Sequence, residues 1–412
     1  MRAAGTNETV AAVFRIESAR IIARVARIVR DVGIAEEIAQ DALVAALDQW
    51  PESGVPDSPG AWLMATAKHR AVDLVRRKET YARKLAEVGR TLEDAPPPEP
   101  RDADGIDDDL LRLIFTACHP VLSTEARIAL TLRLLGGLTT QEIARAFLAA
   151  EPTIAQRIVR AKRTLATAGV PFEVPCGRDR TARVASVLEV IYLVFNEGYS
   201  ATAGEDLVRP ALCEDALRLA RVLADLMPQE PEAHGLAALL ELQSSRIAAR
   251  TGPDGAPVLI ADQDRARWNR MLILRGIEAL RRAGSGPYSV QAAIAACHAR
   301  ALRYADTDWG MIAALYGRLV EMVPSPVMEL NRAVAVSMAR GPADALPLVD
   351  ALGGEPALKN YHLLPSVRGD LLERLGRTAE ARGEFERAAS LTRNARERDL
   401  LLDRAARAAT ES

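Results

Sequence analysis

Apolar residues recur at helical spacing along nearly the whole chain, and the places where that rhythm fails divide it. Over residues 8–48 the apolar set is Val13, Ile16, Ile21, Val25 and Ile28, with Arg20, Arg24, Arg27 and Arg30 expected outward. Asp31-Val32-Gly33 interrupts the run. A second run, Ala35–Leu43, gathers Glu37, Gln40 and Asp41 on its polar side. The segment PESGVPDSPG, Pro51 to Gly60, reads as a loop, and a third helix is predicted from Ala61 to Leu85. Residues 91–109 show no apolar period. The rhythm restarts at Leu110 and pauses again from Val170 to Arg180, where Pro171, Pro175 and Gly177 fall. Beyond that boundary come long helices with small residues at their contacts. Ala333, Val336, Ala345, Val349 and Leu352 recur, shifted by 36, as Gly369, Leu372, Ala381, Phe385 and Ala388. That spacing resembles a tetratricopeptide repeat, with a weaker echo from Met227 to Leu242. An irregular helical bundle is the alternative.

The stretch from Leu138 to Leu165 is the most informative. Thr139 with Glu142 three residues on is a capping-box spacing, which satisfies two orphan donors at a helix start. Ile143, Ala144 and Phe147 give that helix its apolar face. After Leu148-Ala149-Ala150, Pro152 falls at the start of a second helix, where a missing N–H costs nothing. Ile154, Ile158, Ala161 and Leu165 share one face of it. Thr153, Gln156, Arg157, Arg160 and Arg163 share the other, with Lys162 on a flank. A narrow apolar stripe under a cationic face suits a recognition helix in a major groove. Arg can pair with guanine and Gln with adenine, while other cations hold phosphates. An ordinary amphipathic helix with a solvated basic face fits the same residues. Leu148 stands at the turn position where many helix-turn-helix units carry Gly.

Composition narrows the class. At 412 residues the chain suggests two to four domains, and a net charge of −2 confines any nucleic-acid surface to local patches. Aromatics are scarce at 4% while Ala, Leu and Arg abound, which favours an all-α fold. The four cysteines lie far apart with no C-x-x-C pair, as expected of a reduced, cytoplasmic chain. No apolar run approaches the roughly 20 residues of a membrane span, so no membrane partner is expected. From Ala65 to Arg90 there are eight Lys/Arg against three Asp/Glu. Trp62, His69 and Tyr81 interleave there with Lys68, Arg70, Arg76 and Arg77, the pairing of rings and cations that a melted nucleic-acid strand requires. Residues 91–109 hold eight acids against one Arg, with a proline run, and read as a tether. Between Leu111 and Val170 the balance returns to eight basic against three acidic residues.

Candidate chemistry is sparse. Cys118-His119-Pro120 places a Cys beside a His but lacks further ligands at zinc spacing, and a helix-end turn is the simpler account. No H-E-x-x-H, P-loop, G-x-S-x-G or dinucleotide fingerprint occurs, so no catalytic residue, metal or cofactor is expected. The Val194-Phe195-Asn196-Glu197-Gly198-Tyr199-Ser200 segment could be a ligand contact, an interdomain contact or a helix cap.

Taken in order, these pieces resemble a bacterial extracytoplasmic-function sigma factor. The resemblance implies a region-2-like domain over residues 8–90 and an acidic linker over 91–109. A region-4-like helix-turn-helix domain follows over 110–170. A second linker, 171–180, precedes a helical-repeat regulatory domain over 181–412, similar to the extension of one subgroup of the family in which FNEGYSA-like and ACHP-like segments also occur. It implies core RNA polymerase and promoter DNA as partners, with an intramolecular or protein partner for the last domain. Glu37, Gln40 and Asp41 match the family's polymerase contact. Trp62, Lys68, His69, Arg70, Arg76 and Arg77 match its promoter-melting helix, with His69 where Asn is frequent. The 51–60 loop sits where the family captures a flipped base. Thr153, Gln156, Arg157, Arg160, Lys162 and Arg163 fall on its upstream-element reader. A ligand-sensing repressor using the same helix-turn-helix is the main alternative, and a scaffold with solvated basic faces is another.

Overall fold

The computed structural model describes the backbone of residues 2–88, 106–147, 149–201, 203–204, 207–253 and 255–410. Helices dominate, as the periodicity predicts, and the chain divides into two compact units, Met1–Val190 and Ile191–Ser412.

In the first unit the break at 31–33 is a tight joint. Helix α1 (Arg2–Val29) ends with Arg30 in the left-handed region at φ 55°, and Asp31 caps α2 (Val32–Ser53) by accepting the Ile34 N–H at 2.9 Å. Helix α2 outruns its expected end. Pro51 lies inside its last turn, which stays helical beside the buried Trp50, and Gly54 stops the helix at φ 86°. The expected Pro51–Gly60 loop therefore shrinks to residues 54–58, ahead of α3 (Pro59–Val88). Helices α1 to α3 pack around Ile21, Ile22, Val25, Ile38, Ala42 and Leu63.

Residues 91–105 of the acidic tether lie outside the described residues. Helix α4 (Ile106–Ala117) begins within the stretch expected to be linker, and Asp109 is fully buried. Its carboxylate accepts from Arg112 at 2.8 Å and Arg24 at 3.2 Å, with Arg27 at 3.6 Å. Arg24 and Arg27, expected to face water, thus turn inward. A carboxylate removed from water needs opposing charge and donors, and three guanidiniums supply them.

Helices α5 (Thr124–Leu134), α6 (Thr140–Ala146) and α7 (Glu151–Thr167) complete the helix-turn-helix domain. The capping box forms as expected: Thr139 N–H donates to Glu142 Oε2 at 2.7 Å, and Glu142 N–H to Thr139 Oγ1 at 3.1 Å. Leu148 in the turn lies outside the described residues. Cys118 is buried with its Sγ 3.3 Å from Thr131 Oγ1, and burial pushes its thiol up to about 11. His119 Nδ1 accepts the Val121 N–H at 3.1 Å, so the Cys-His-Pro run shapes a helix end. Helix α8 (Gly177–Tyr199) begins inside the expected 171–180 linker, and the boundary between the units falls within it. Ser186 Oγ donates to the Cys118 carbonyl at 2.6 Å, tying the start of α8 to the end of α4.

The second unit continues with α9 (Pro210–Leu226), α10 (Pro231–Ser244), α11 (Arg270–Arg282), α12 (Pro287–Arg300) and α13 (Trp309–Met322). After these come α14 (Pro326–Arg340), α15 (Pro342–Ala351), α16 (Leu363–Arg374), α17 (Thr378–Leu391) and α18 (Ala395–Thr410). Five of them open on proline, whose fixed φ favours a helix start. Successive helices pack on their neighbours. Ala333, Val336, Ala345 and Val349 share one core with Leu372, Ala381, Phe385 and Ala388. Gly369 is required there, because a Cβ would come within 2.7 Å of the Phe385 ring. The unit closes on itself through a two-residue parallel pairing of β1 (Ala203–Gly204) with β2 (Arg393–Asn394).

Two predictions follow from this packing. Asp109→Ala strands three guanidiniums and should destabilise the first unit by about 3–5 kcal/mol in urea unfolding. In the second unit, burial first and then Arg246 and Arg265 lower the His298 pKa from 6.5 to about 4. The unfolded chain therefore takes up a proton before the folded one does. Stability should fall as pH drops from about 6.5 toward 4, and His298→Gln should flatten that part of the profile.

Candidate nucleic-acid interface

The stripe Ile154, Ile158, Ala161 and Leu165 is buried, so α7 has its apolar side on its own domain. Thr153, Gln156, Arg160 and Arg163 are exposed and Arg157 is half-buried. The exposed side flanks a groove of about 370 Å³ that reaches the start of α5, where Ser123 and Ala126 join Thr153, Gln156, Arg157 and Arg160. Five of the six expected upstream-reading side chains therefore share one surface. A helix presenting guanidinium, amide and hydroxyl groups together can address base edges and phosphates at once.

On α3, His69, Arg70, Arg76, Arg77 and Tyr81 are exposed, while Trp62 and Lys68 are half-buried. Trp62 packs edge-on against Trp50 with centroids 5.4 Å apart. Its ring is thereby held at the α2–α3 junction, separate from the basic face further along. On α2, Glu37 and Asp41 are exposed and Gln40 is half-buried. Arg70 Nη1 lies 3.7 Å from Asp41 Oδ2, so the expected polymerase-binding and strand-binding surfaces meet at an exposed ion pair.

Lys162 is placed differently from the other α7 cations. It forms an ion pair with Glu36 Oε2, while Arg133 Nε donates to Glu36 Oε1 at 2.6 Å and Gln40 Nε2 to the same oxygen at 2.8 Å. Glu36 is 4% exposed. This contact joins the helix-turn-helix domain to α2 of the preceding bundle. Beside it lies a cleft of about 600 Å³ lined by Ile22, Leu43, Val44, Glu36, Arg133 and Glu142.

Glu36 and Arg133 escape the sequence reading. The available signal is Glu36's position at the flank of the Val32/Ala39 apolar side, one residue from the exposed Glu37. Val44 and Leu47 also escape it. They are 54% and 36% exposed on α2, and Val44 continues the Glu37/Asp41 face at helical spacing. Exposed apolar groups beside carboxylates give that face binding potential beyond charge.

Comparison with known proteins agrees with the order of the domains. The Sigma-70 region 2 family matches residues 14–80, and the Sigma-70, region 4 family matches residues 112–165. Residues 183–284 match a family of unknown function (DUF6596). An uncharacterized protein of Rhizobium meliloti (strain 1021) is 46% identical over 380 residues, 90% of this chain and 89% of its own length. The ECF RNA polymerase sigma factor SigK of Mycobacterium sp. (strain KMS) is 32% identical over 152 residues, 36% of this chain and 76% of that protein. SigK of Mycobacterium tuberculosis (strain ATCC 25177 / H37Ra) is 31% identical over 150 residues, 35% and 78% respectively. No solved structure matches the chain. Fold and matches together define a sigma factor of regions 2 and 4 carrying a helical extension. The chain belongs to the extracytoplasmic-function (ECF) RNA polymerase sigma factors.

Among the described residues no helix is long and apolar enough to cross a membrane. The cross-domain contact is directly testable. In a double-mutant cycle, Glu36→Gln and Lys162→Met should couple by about 1–3 kcal/mol in chemical unfolding. Additive effects would show that the pair contributes nothing to holding the domains together.

Proposed function

We propose that this protein directs core RNA polymerase to promoters by two separate DNA contacts. The exposed face of α2, with Glu37, Gln40 and Asp41, docks on polymerase in the cytoplasm. The basic face of α3, with Lys68, His69, Arg70, Arg76 and Arg77, holds the opened downstream strand, and Trp62 supports it from the α2 junction. Thr153, Gln156, Arg157, Arg160 and Arg163 read the upstream element. The extension sets how much of the protein is active. No bond is made or broken by this chain. Binding energy orients polymerase and favours the melted duplex.

The observation that carries the reading is the outward set on α7 above its buried stripe. The closed contact through Glu36 and Lys162 fits a resting form, since Lys162 cannot serve a carboxylate and a phosphate together. Two weak DNA contacts on one chain gain from each other only when both reach their elements, so promoter engagement requires that contact to open.

The test is transcription with purified core polymerase on the DNA upstream of this gene and on a pool of genomic fragments. A defined start site should appear only with both proteins present; its absence, together with tight DNA binding by this protein alone, would mark a repressor. Gln156→Ala or Arg160→Ala should cost roughly 1–3 kcal/mol of upstream discrimination. Arg76→Ala should weaken binding evenly across sequences and reduce its salt dependence. Transcript levels unchanged on removing residues 191–412 would deny the extension a controlling role.

A further inference from the structure

The C-terminal unit is closed into a ring by its own ends. Asn394, fully buried in β2, donates its Nδ2 to the Ala201 carbonyl at 3.2 Å. Its Oδ1 accepts the N–H groups of Arg396 and Glu397 at 3.0 and 3.2 Å, capping α18. The last helix is thereby bound to the turn that follows α8. Tyr192, near the end of α8, reaches across to α12, donating its hydroxyl to Gln291 Oε1 at 3.0 Å with its ring edge-on to Tyr288. Within the Phe-Asn-Glu-Gly-Tyr-Ser segment Phe195 and Gly198 are buried, Asn196, Glu197 and Tyr199 are half-buried and Ser200 is exposed.

Arginines collect beside it. The Arg250 guanidinium lies 3.7 Å from the centre of the Tyr199 ring and that of Arg246 lies 5.5 Å from it, while Phe195 stacks on the same tyrosine. Arg265 stands over Trp268 at 4.7 Å and donates to the carbonyl of Ala301 at 2.8 Å and to that of His298. His298 packs edge-on against Trp309. The charge of Arg246 acts on both His298 and Tyr316, and it adds to burial in holding down the Arg265 pKa. Arg250, Arg246 and Arg265 thus form a continuous row through Tyr199 and His298.

These three arginines differ from other arginines of the unit. Arg209 pairs with Glu197, Arg221 with Glu241, Arg368 with Asp350 and Glu384, and Arg404 with Asp370 and Glu373. Among the described residues, Arg246, Arg250 and Arg265 each lack a carboxylate at ion-pair distance. The carboxylates nearest in effect are committed elsewhere: Glu397 to His362 and Thr392, and Asp306 to Arg303. Arg250 Nε, Arg265 Nε, His298 Nδ1 and the Tyr199 hydroxyl are all buried without a hydrogen-bond partner. Half-buried like charges with idle donors are unfavourable unless something anionic completes them. A neutral histidine and aromatic rings beside them supply the low-polarity wall on which a guanidinium–oxyanion contact is strongest.

We infer that this row binds a small oxyanion, the carboxylate or phosphate group of a low-molecular-weight ligand, with Arg246 central, Arg250 and Arg265 at its sides, and Tyr199 donating a hydrogen bond. The fold around it is closed by short-range ties, so an occupant that bridges three arginines would stiffen the whole ring. That gives the extension a ligand input in a family member whose DNA-contacting surfaces lie in the other unit. The binding claim stands on this unit alone and is independent of the promoter reading above.

The experiment is thermal unfolding of the full-length protein titrated with inorganic phosphate and, separately, with citrate, against sodium chloride at matched ionic strength. Specific binding raises the melting temperature saturably with one or both probes, and which one identifies the anion as phosphate or carboxylate. Arg246→Gln should weaken the apparent affinity about tenfold or more, and Tyr199→Phe, which removes only a hydroxyl, should weaken it less. Arg281→Gln, a surface change on α11, should leave it unaltered. No saturable shift with either probe, or a shift that Arg246→Gln and Tyr199→Phe both leave intact, overturns the proposal.

Discussion

A carboxylate withdrawn from water must be surrounded by donors, and in the first unit that requirement decides how the helices meet. Among the described residues Glu36 and Asp109 are its two instances. Asp109 draws Arg24 and Arg27 of α1 onto the start of α4, so the region after the acidic tether is anchored to the bundle before it. Glu36 draws Arg133 and Lys162 from the helix-turn-helix domain onto α2. Neither carboxylate could remain charged and buried alone, so each fixes a long-range contact that apolar packing by itself would leave less specific. The cleft beside α2 is lined by Glu36 and Arg133 themselves, so that pair shapes it directly.

The second unit shows the converse. There most buried charge is matched within or between neighbouring helices, as in Arg404 with Asp370 and Glu373. The row from Arg250 to Arg265 is left with aromatic faces and carbonyls in place of carboxylates. Asn394 closes the ring with amide hydrogen bonds alone, which need no charge compensation. Among the described residues Arg246, Arg250 and Arg265 thus sit together without a carboxylate at ion-pair distance, whereas the buried carboxylates of the first unit each hold cations.

Local features were legible in the sequence where a single helix determines them. The Thr139–Glu142 capping box, the buried Ile154–Leu165 stripe and the 36-residue recurrence around Phe385 all follow from spacing, and each takes its place in the fold. The reading failed where a partner lies far along the chain. Nothing near Asp109 announces Arg24, 85 residues away, and an aspartate in an acidic run reads as tether until that partner is known. Arg24 and Arg27 fit an outward helical face on periodicity alone. Of the adjacent Glu36 and Glu37, only the first is buried, a difference set by Arg133 and Lys162. Pro51 misled in another way: a helix-breaking residue was carried inside α2 because Trp50 holds that turn in the core.

The same dependence on distant partners bears on how the proposed activity is controlled. Lys162 and Arg133 meet Glu36 on the helix whose next exposed carboxylates, Glu37 and Asp41, are assigned to polymerase, and Gln40 of that set already donates to Glu36. A partner that captures Gln40 removes one donor from Glu36, and a DNA phosphate that captures Lys162 removes another. Each loss makes the buried carboxylate more costly to keep where it is. Polymerase binding at α2 and DNA binding at α7 would then favour the same opening of the cross-domain contact, without any further coupling element. Two weak events that share one unfavourable step assist each other, which is how a chain of net charge −2 could bind promoters poorly alone and well on polymerase.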